Sequence, residues 1–211
     1  MVRETLTREK VLDAALAFVD EHGMAALSMR KLAAELGVEA MSLYNHVRNK
    51  GDLLDGLVAR MFDAVPIPDP AAPWDVRVRS LAKELYGQFR QHPAVLRTLV
   101  AEEANPRSPG ALKVIDSVLG ALLDAGLDDI ETVRAYRSLT GLTFGAALTE
   151  ETGLAGAPSA RAEPVDDWFL RMATPTETPN LHRLLPVLTD ADCRPDFETQ
   201  LDLLVSALGK D

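Results

Sequence analysis

The chain has one cysteine, Cys193, with no Cys or His neighbours at metal-ligand spacing. An internal disulfide and a cysteine-based metal site are therefore not expected, and the thiol reads as incidental. No run of eighteen or more apolar residues exists, and the start MVRETLTREK lacks the apolar core of a signal peptide, so neither a membrane span nor export is expected. The cytoplasm is the expected compartment. Alternating strand patterns and internal repeats are also missing. So are G-x-x-x-x-G-K-[ST], G-x-S-x-G and H-E-x-x-H, which would supply a phosphate-cradling loop, a nucleophile elbow or a zinc helix. No catalytic residue, metal or cofactor is expected, and the chain does not read as an enzyme.

Basic charge is scarce as well. The chain carries 22 Lys and Arg against 32 Asp and Glu, a formal net charge of −10 and a pI of about 4.9. That average argues against non-specific binding to a polyanion. The deficit is not uniform, however: residues 1–60 hold eight basic and nine acidic side chains, and the remainder holds 14 and 23. The N-terminal unit is nearly neutral, so a specific DNA-reading face remains compatible with an acidic protein.

What is present is apolar residues at helical spacing. With 47% hydrophobic residues in 211, the chain can bury a real core. Thr7 is placed to cap a first helix in which Val11, Ala15, Phe18 and His22 form one line and Leu12, Leu16 and Val19 the next, with Gly23 as its stop. Ser28 caps a second helix bearing Met29, Leu32, Ala33 and Leu36, followed by Gly37. A third is predicted from Ala40 to Val47. A fourth starts at about Lys50 and carries Leu53, Leu54, Leu57, Val58, Met61 and Phe62, weakened by Gly51 and Gly56.

The stretch AVPIPDPAAPW, residues 64–74, has four prolines in eleven positions and marks a boundary between domains of residues 1–63 and 64–211. Helices follow at about 75–91, 94–103, 109–125 and 129–151. The third of these aligns Leu112, Ile115, Leu119 and Leu122; the fourth aligns Val133, Tyr136, Thr140, Phe144 and Ala147. Residues 152–164 read as a Gly, Ala and Pro-rich loop, either a gate or a simple connection. Shorter helices are expected around Trp168 and from Leu181 to Leu188, and a last one from Pro195 carries Phe197, Leu201, Leu204, Val205 and Leu208. The fold class is all-α.

Two short helices joined by Gly37-Val38-Glu39 match a helix-turn-helix, whose second helix enters the major groove. Base reading falls to Arg30, Ser42 and Asn45, with Ala40 or Met41 against a thymine methyl. Tyr44, Lys50 and the free N–H groups opening the fourth helix suit phosphate oxygens. His46 suits a phosphate contact and a satisfied surface histidine equally; His22, His92 and His182 read as structural. The pairs Glu102-Glu103, Asp128-Asp129, Glu150-Glu151 and Asp166-Asp167 are read as solvated, since adjacent residues point in different directions from a helix.

Residues 6–62 resemble the DNA-binding domain of TetR-type repressors. The resemblance is carried by a long first helix ending EHG, by LSMRKLAAELGV, SLYNHVRNK and DLLDGLVARMF. It implies that Ser28, Arg30, Ser42, Tyr44, Asn45, His46 and Lys50 line the DNA face. Ala40 and Met41 depart from the tetracycline-responsive branch, which has Gln and Pro there, so base preference is expected to differ at the matching operator positions.

Over most of residues 75–209 the chain resembles the ligand-binding and dimerisation region of the same branch, through TGLTFGAALTEE, ATPTETPNLHRLLPVL and RPDFETQLDLLVSALG. The resemblance implies a homodimer through a four-helix bundle of the long helix 129–151 and the last helix. Gly141, Gly145 and Ala146 permit such close approach. The histidines that hold magnesium-tetracycline in that branch have no counterpart: Thr98–Glu103 contains none, and Gly141 takes the position in the long helix. A mostly apolar effector is expected in place of magnesium-tetracycline. Tyr86, Phe89, Phe144, Trp168 and Met172 are candidates to line its cavity, with core filling as the alternative use of the same residues.

Three functions are weighed. One is a ligand-responsive repressor that binds a pseudo-palindromic double-stranded DNA operator as a homodimer and is released by a small-molecule effector. The second is a helical small-molecule-binding or enzymatic protein with a vestigial helix-turn-helix, and the third is a DNA-binding activator. The absence of catalytic motifs disfavours the second.

Overall fold

The computed structural model describes residues 5–101, 107–150, 165–188 and 196–209, all helix, turn and connection without a strand among them. Cysteine 193, the 152–164 segment, Glu102-Glu103, Glu151 and the side chains of Glu150, Asp166 and Asp167 lie outside the described residues. Among the described residues there are eleven α-helices: α1 Arg8–His22, α2 Met29–Glu35, α3 Ala40–Leu43, α4 Lys50–Asp63, α5 Trp74–Gln91, α6 Pro93–Val100, α7 Pro109–Asp124, α8 Asp129–Glu150, α9 Val165–Met172, α10 Pro179–Leu188 and α11 Phe197–Leu208.

The starts of α1, α2, α4, α7, α8 and α11 are fixed by short polar side chains. Thr7 Oγ1 accepts from Lys10 N at 3.3 Å, Ser28 Oγ from Lys31 N at 3.3 Å, and Asn49 Oδ1 from Asp52 N at 2.9 Å. Ser108 caps α7 at 3.0 Å with Pro109 at the first helical position, and Asp196 caps α11 at 2.6 Å. Asp128 and Glu131 close a reciprocal box: Glu131 N donates to Asp128 Oδ1 and Asp128 N to Glu131 Oε2. Each cap satisfies a backbone N–H that the helix leaves unpaired, worth about 1 kcal/mol. That gives Asp128 a structural task.

The head packs α1 through α4 around Val11, Ala15, Val19, Leu32, Leu43, Val47, Leu53 and Leu57, all essentially inaccessible. Gly56 has a more definite role than weakening α4. A Cβ there would stand 2.5 Å from Leu12 Cδ2, so the glycine lets α1 and α4 approach closely. The other side of α4 turns Val58, Met61 and Phe62 toward α5, α6 and α7. Phe62 meets Phe89 edge-on at 6.2 Å, and Phe89 meets Phe144 edge-on at 4.9 Å. One buried apolar cluster therefore runs from the head into the body. Two polar ties lie along the same seam: Asp63 accepts from Ser108 Oγ at 2.8 Å, and His92 Nδ1 lies 2.8 Å from Asp20 Oδ2.

Three sequence expectations are corrected. Helix α3 ends at Leu43, not Val47. The next residues turn through i→i+3 bonds, Tyr44 N to Met41 O and His46 N to Leu43 O, which tighten the chain so that Val47 is buried and Asn49 reaches its capping position. In α7 the buried line is Ala111, Val114, Val118, Ala121 and Leu122; Leu112 is 68% exposed, and Ile115 and Leu119 are half-buried. Two adjacent lines of α7 are apolar, and the one with smaller side chains faces α5 and α8, where it permits closer helix contact. In α8, Val133 faces outward, while Thr132, Ala135, Leu139, Thr143 and Ala147 are buried. Thr143 is tolerated there because its Oγ1 donates to Leu139 O at 2.8 Å within the helix, whereas the buried Thr132 Oγ1 has no partner among the described residues.

Candidate nucleic-acid interface and effector region

The turn between α2 and α3 is a Schellman motif. Gly37 has φ 64°, its N–H donates to Ala34 O, and Val38 N donates to Ala33 O. Only a residue without Cβ takes that conformation at no steric cost. Val38 is half-buried and packs on the core, which fixes the angle at which α3 leaves α2.

On the outer surface of this unit Met41 is 72% exposed and Tyr44 45% exposed. Arg30, Asn45 and Lys50 are exposed too, whereas Ser28, Ala40, Ser42 and His46 are half-buried. Leu43 and Val47, on the opposite side of the same segment, are fully buried. Large apolar and aromatic side chains left in solvent beside cations make a surface built for contact, not for the core. Ser28 Oγ is already used as an acceptor in the α2 cap, which leaves its O–H to donate elsewhere.

Arg8 and Asp52 add a feature absent from the sequence reading. Arg8 Nη2 donates to Asp52 Oδ1 at 2.9 Å and Nη1 to Asp52 Oδ2 at 3.2 Å, while Nη1 also donates to His46 O at 2.7 Å. Asp52 Oδ2 accepts Arg48 N at 2.8 Å, and Arg48 Nε lies 3.7 Å away. The Arg8 hydrogen bond, with the Arg48 amide and both guanidinium charges behind it, holds the Asp52 carboxyl below its ordinary value although burial opposes this. The Asn49 cap was readable from Asn three places before Asp52. The Arg8 partnership was not, because the two residues lie 44 positions apart.

The remaining histidines have structural partners. His22 stacks on Phe18 with centroids 4.5 Å apart and its Nδ1 lies 3.2 Å from Phe18 O; His182 Nδ1 is 3.0 Å from Ala173 O.

The five proposed effector residues separate into two sets. Tyr86 stacks on Phe197 at 4.1 Å with the Arg90 guanidinium 5.7 Å from its ring, and Phe89 and Phe144 meet edge-on between α5 and α8. Phe89 is completely buried in these contacts. Trp168 and Met172 sit on α9, 45% and 48% exposed, and among the described residues the ring contact of Trp168 is with its neighbour Phe169. A cleft of about 310 Å³ lies between α8 and α11, lined by Leu127, Glu131, Arg134, Ser138, Leu204 and Leu208, none of the five.

With this geometry in view, the comparisons agree over both halves. Residues 11–57 match the model of the tetR family of bacterial regulatory proteins, and residues 67–210 match the tetracyclin repressor-like C-terminal domain. The HTH-type transcriptional repressor DrrR1 of Streptomyces coeruleorubidus is 34% identical over 76% of this chain, a span of 63% of DrrR1's own length. The class A tetracycline repressor from transposon 1721 of Escherichia coli is 32% identical over 95% of this chain and 89% of that protein. Among solved structures, Streptomyces coelicolor ActR in complex with actinorhodin superposes with a TM-score of 0.78 at 28% identity, covering 97% of each chain. The chain belongs to the tetR family of bacterial regulatory proteins, a family of ligand-responsive transcriptional regulators.

Proposed function

We propose that this protein is a repressor that holds a pseudo-palindromic operator as a homodimer and releases it when a small molecule occupies the body. The observation that carries this reading is the exposed set Arg30, Met41, Tyr44, Asn45 and Lys50 on a helix-turn-helix whose helix α4 shares one apolar core with α5, α6 and α7. Residues 1–63 act as the DNA-binding unit and residues 64–211 as the effector and dimer unit. The protein works on DNA in the cytoplasm, without catalysis.

Arg30, Ser42 and Asn45 read base edges, Ala40 and Met41 meet a thymine methyl, and Ser28, Tyr44, His46 and Lys50 hold phosphates. Two symmetry-related copies of α3 enter successive major grooves about 34 Å apart, so a small tilt of the heads is enough to disfavour binding. The effector is mostly apolar. Tyr86 and Phe144 form a wall of its site with Phe89 behind them, and Trp168 and Met172 of α9 contribute from the outside. The ActR complex with actinorhodin supports a ligand site in a body of this kind.

An electrophoretic retardation assay with fragments from upstream of the chain's own gene and from the genome tests the reading. Retardation is expected, and its absence on every fragment at low salt would overturn it. Lys50→Ala is expected to weaken all sites alike and to reduce the salt slope by about one, as loss of one phosphate contact requires.

A further inference from the structure

We propose that Arg8 and Asp52 form a positioning clamp for DNA recognition: Arg8 does not touch DNA but holds the 44–50 segment in its binding shape and neutralises a carboxylate beside the phosphate path. The proposal rests on the DNA-binding reading above and extends it to residues outside the helix-turn-helix.

Helix α3 has four residues, and past Leu43 the chain keeps its course through three i→i+3 bonds, from Tyr44, Asn45 and His46, and one i→i+4 bond from Val47 N to Leu43 O. The segment carrying Tyr44, Asn45 and His46 thus has little helix of its own to stiffen it. Tertiary bonds supply the stiffness. One guanidinium, on α1, binds the His46 carbonyl from one side and both Asp52 oxygens from the other. Asp52 in turn accepts the Arg48 amide and donates its own to Asn49. Residues 46 and 48 are thereby tied to a single carboxylate–guanidinium pair, Asn49 is held by the backbone amide of the same Asp52, and the pair is anchored in two helices of the head core.

Lys50 opens α4, and its first turn offers unpaired N–H groups suited to a phosphate. Asp52 lies in that same turn and would repel a phosphate there. Arg8 at 2.9 Å cancels that charge, while Arg48, whose side chain is 88% exposed and only 3.7 Å from Asp52, remains free to turn toward the backbone of the duplex. Without Arg8 the segment samples other shapes, and apparent affinity falls by the fraction that stays competent.

The test uses the full chain and an operator that the wild-type protein selects from random double-stranded oligonucleotides, with a non-cognate duplex of equal length. Arg8→Ala is expected to weaken operator binding by about 10- to 100-fold, the equivalent of losing hydrogen bonds to a charged group. Its salt slope is expected to fall, because the uncompensated Asp52 carboxylate repels the neighbouring phosphate. Adding Asp52→Asn to Arg8→Ala is expected to recover part of the affinity and the wild-type slope by removing that carboxylate. Circular dichroism at the assay temperature confirms that each variant is folded, and if Arg8→Ala is not, Arg8→Lys serves, with a smaller loss at unchanged slope. A slope that stays reduced by about one in the double variant would make Arg8 a direct phosphate ligand and overturn the proposal. An affinity within about twofold of wild type would do the same, as would failure of the double variant to improve on Arg8→Ala. If the wild type selects no operator at all, the DNA-binding reading itself falls, a result distinguishable from the others.

Discussion

The head and the body of this protein use the same helical material in different ways. In the head, residues 28–50 form a recognition unit from one continuous stretch, and the exposed side chains Met41, Tyr44 and Asn45 alternate with the buried Leu43 and Val47 within seven positions. In the body, Tyr86, Phe89, Phe144 and Phe197 are brought together from three separate helices, α5, α8 and α11. A DNA duplex presents a fixed shape to a short convex element, so its reader is compact in sequence. A packed aromatic cluster, or any site that encloses a small molecule, has to be gathered from several helices.

The two regions are nonetheless one folding unit, and Phe89→Ala tests this with the largest expected effect. Removing a fully buried ring in contact with Phe62 and Phe144 costs about 3–5 kcal/mol. Because the apolar cluster is continuous, hydrogen exchange is expected to accelerate together in α1 and α7. Acceleration confined to the body would separate the two.

Gly56→Val tests the same coupling from the head side. Its Cβ would stand 2.5 Å from Leu12, and overpacking of this kind costs about 1–3 kcal/mol, lowering the thermal midpoint and accelerating exchange in α1 and α7 together. A midpoint equal to wild type would mean that α1 and α4 have room to separate.

The Asp52 clamp gives a pH dependence of definite sign. Its carboxyl is held below the ordinary 3.8 mainly by Arg8, so its contribution to stability is present in full above 3.8 and is lost as pH falls through the lowered folded value. Denaturant unfolding of wild type and Asp52→Asn is expected to differ at neutral pH and to converge below 3.8. A constant difference down to the acid limit would show that the carboxylate's charge is not the source.

Met41→Ala is expected to have the smallest effect on stability, within about 0.5 kcal/mol, since a side chain 72% exposed contributes little to the core. Its consequence should appear in operator choice. Oligonucleotide selection is expected to show relaxed preference at one symmetric pair of positions, and an unchanged consensus would remove Met41 from the reading surface.

Local patterns were readable wherever the deciding atoms are near in sequence. Thr7, Ser28 and Gly23 are legible as helix limits, and Gly37 as the residue that follows the second helix, because capping and positive φ are settled within about five residues. The α7 stripe was misread because two of its lines are apolar and periodicity cannot choose between them. The choice depends on what lies opposite, and α5 and α8 accept the smaller side chains of Ala111, Val114 and Val118.

By itself the sequence determined an all-helical chain, the starts of its capped helices, and a helix-turn-helix with a polar and aromatic outer edge. These follow from period, caps and turn chemistry, which are short-range. Tertiary structure decided the rest: that Gly56 lets α1 and α4 close together, that Phe62, Phe89 and Phe144 carry one core across both units, and that Arg8 reaches Asp52 and the His46 carbonyl. Each of these depends on which helix faces which, and that is settled by packing at long range, where no local spacing carries the information.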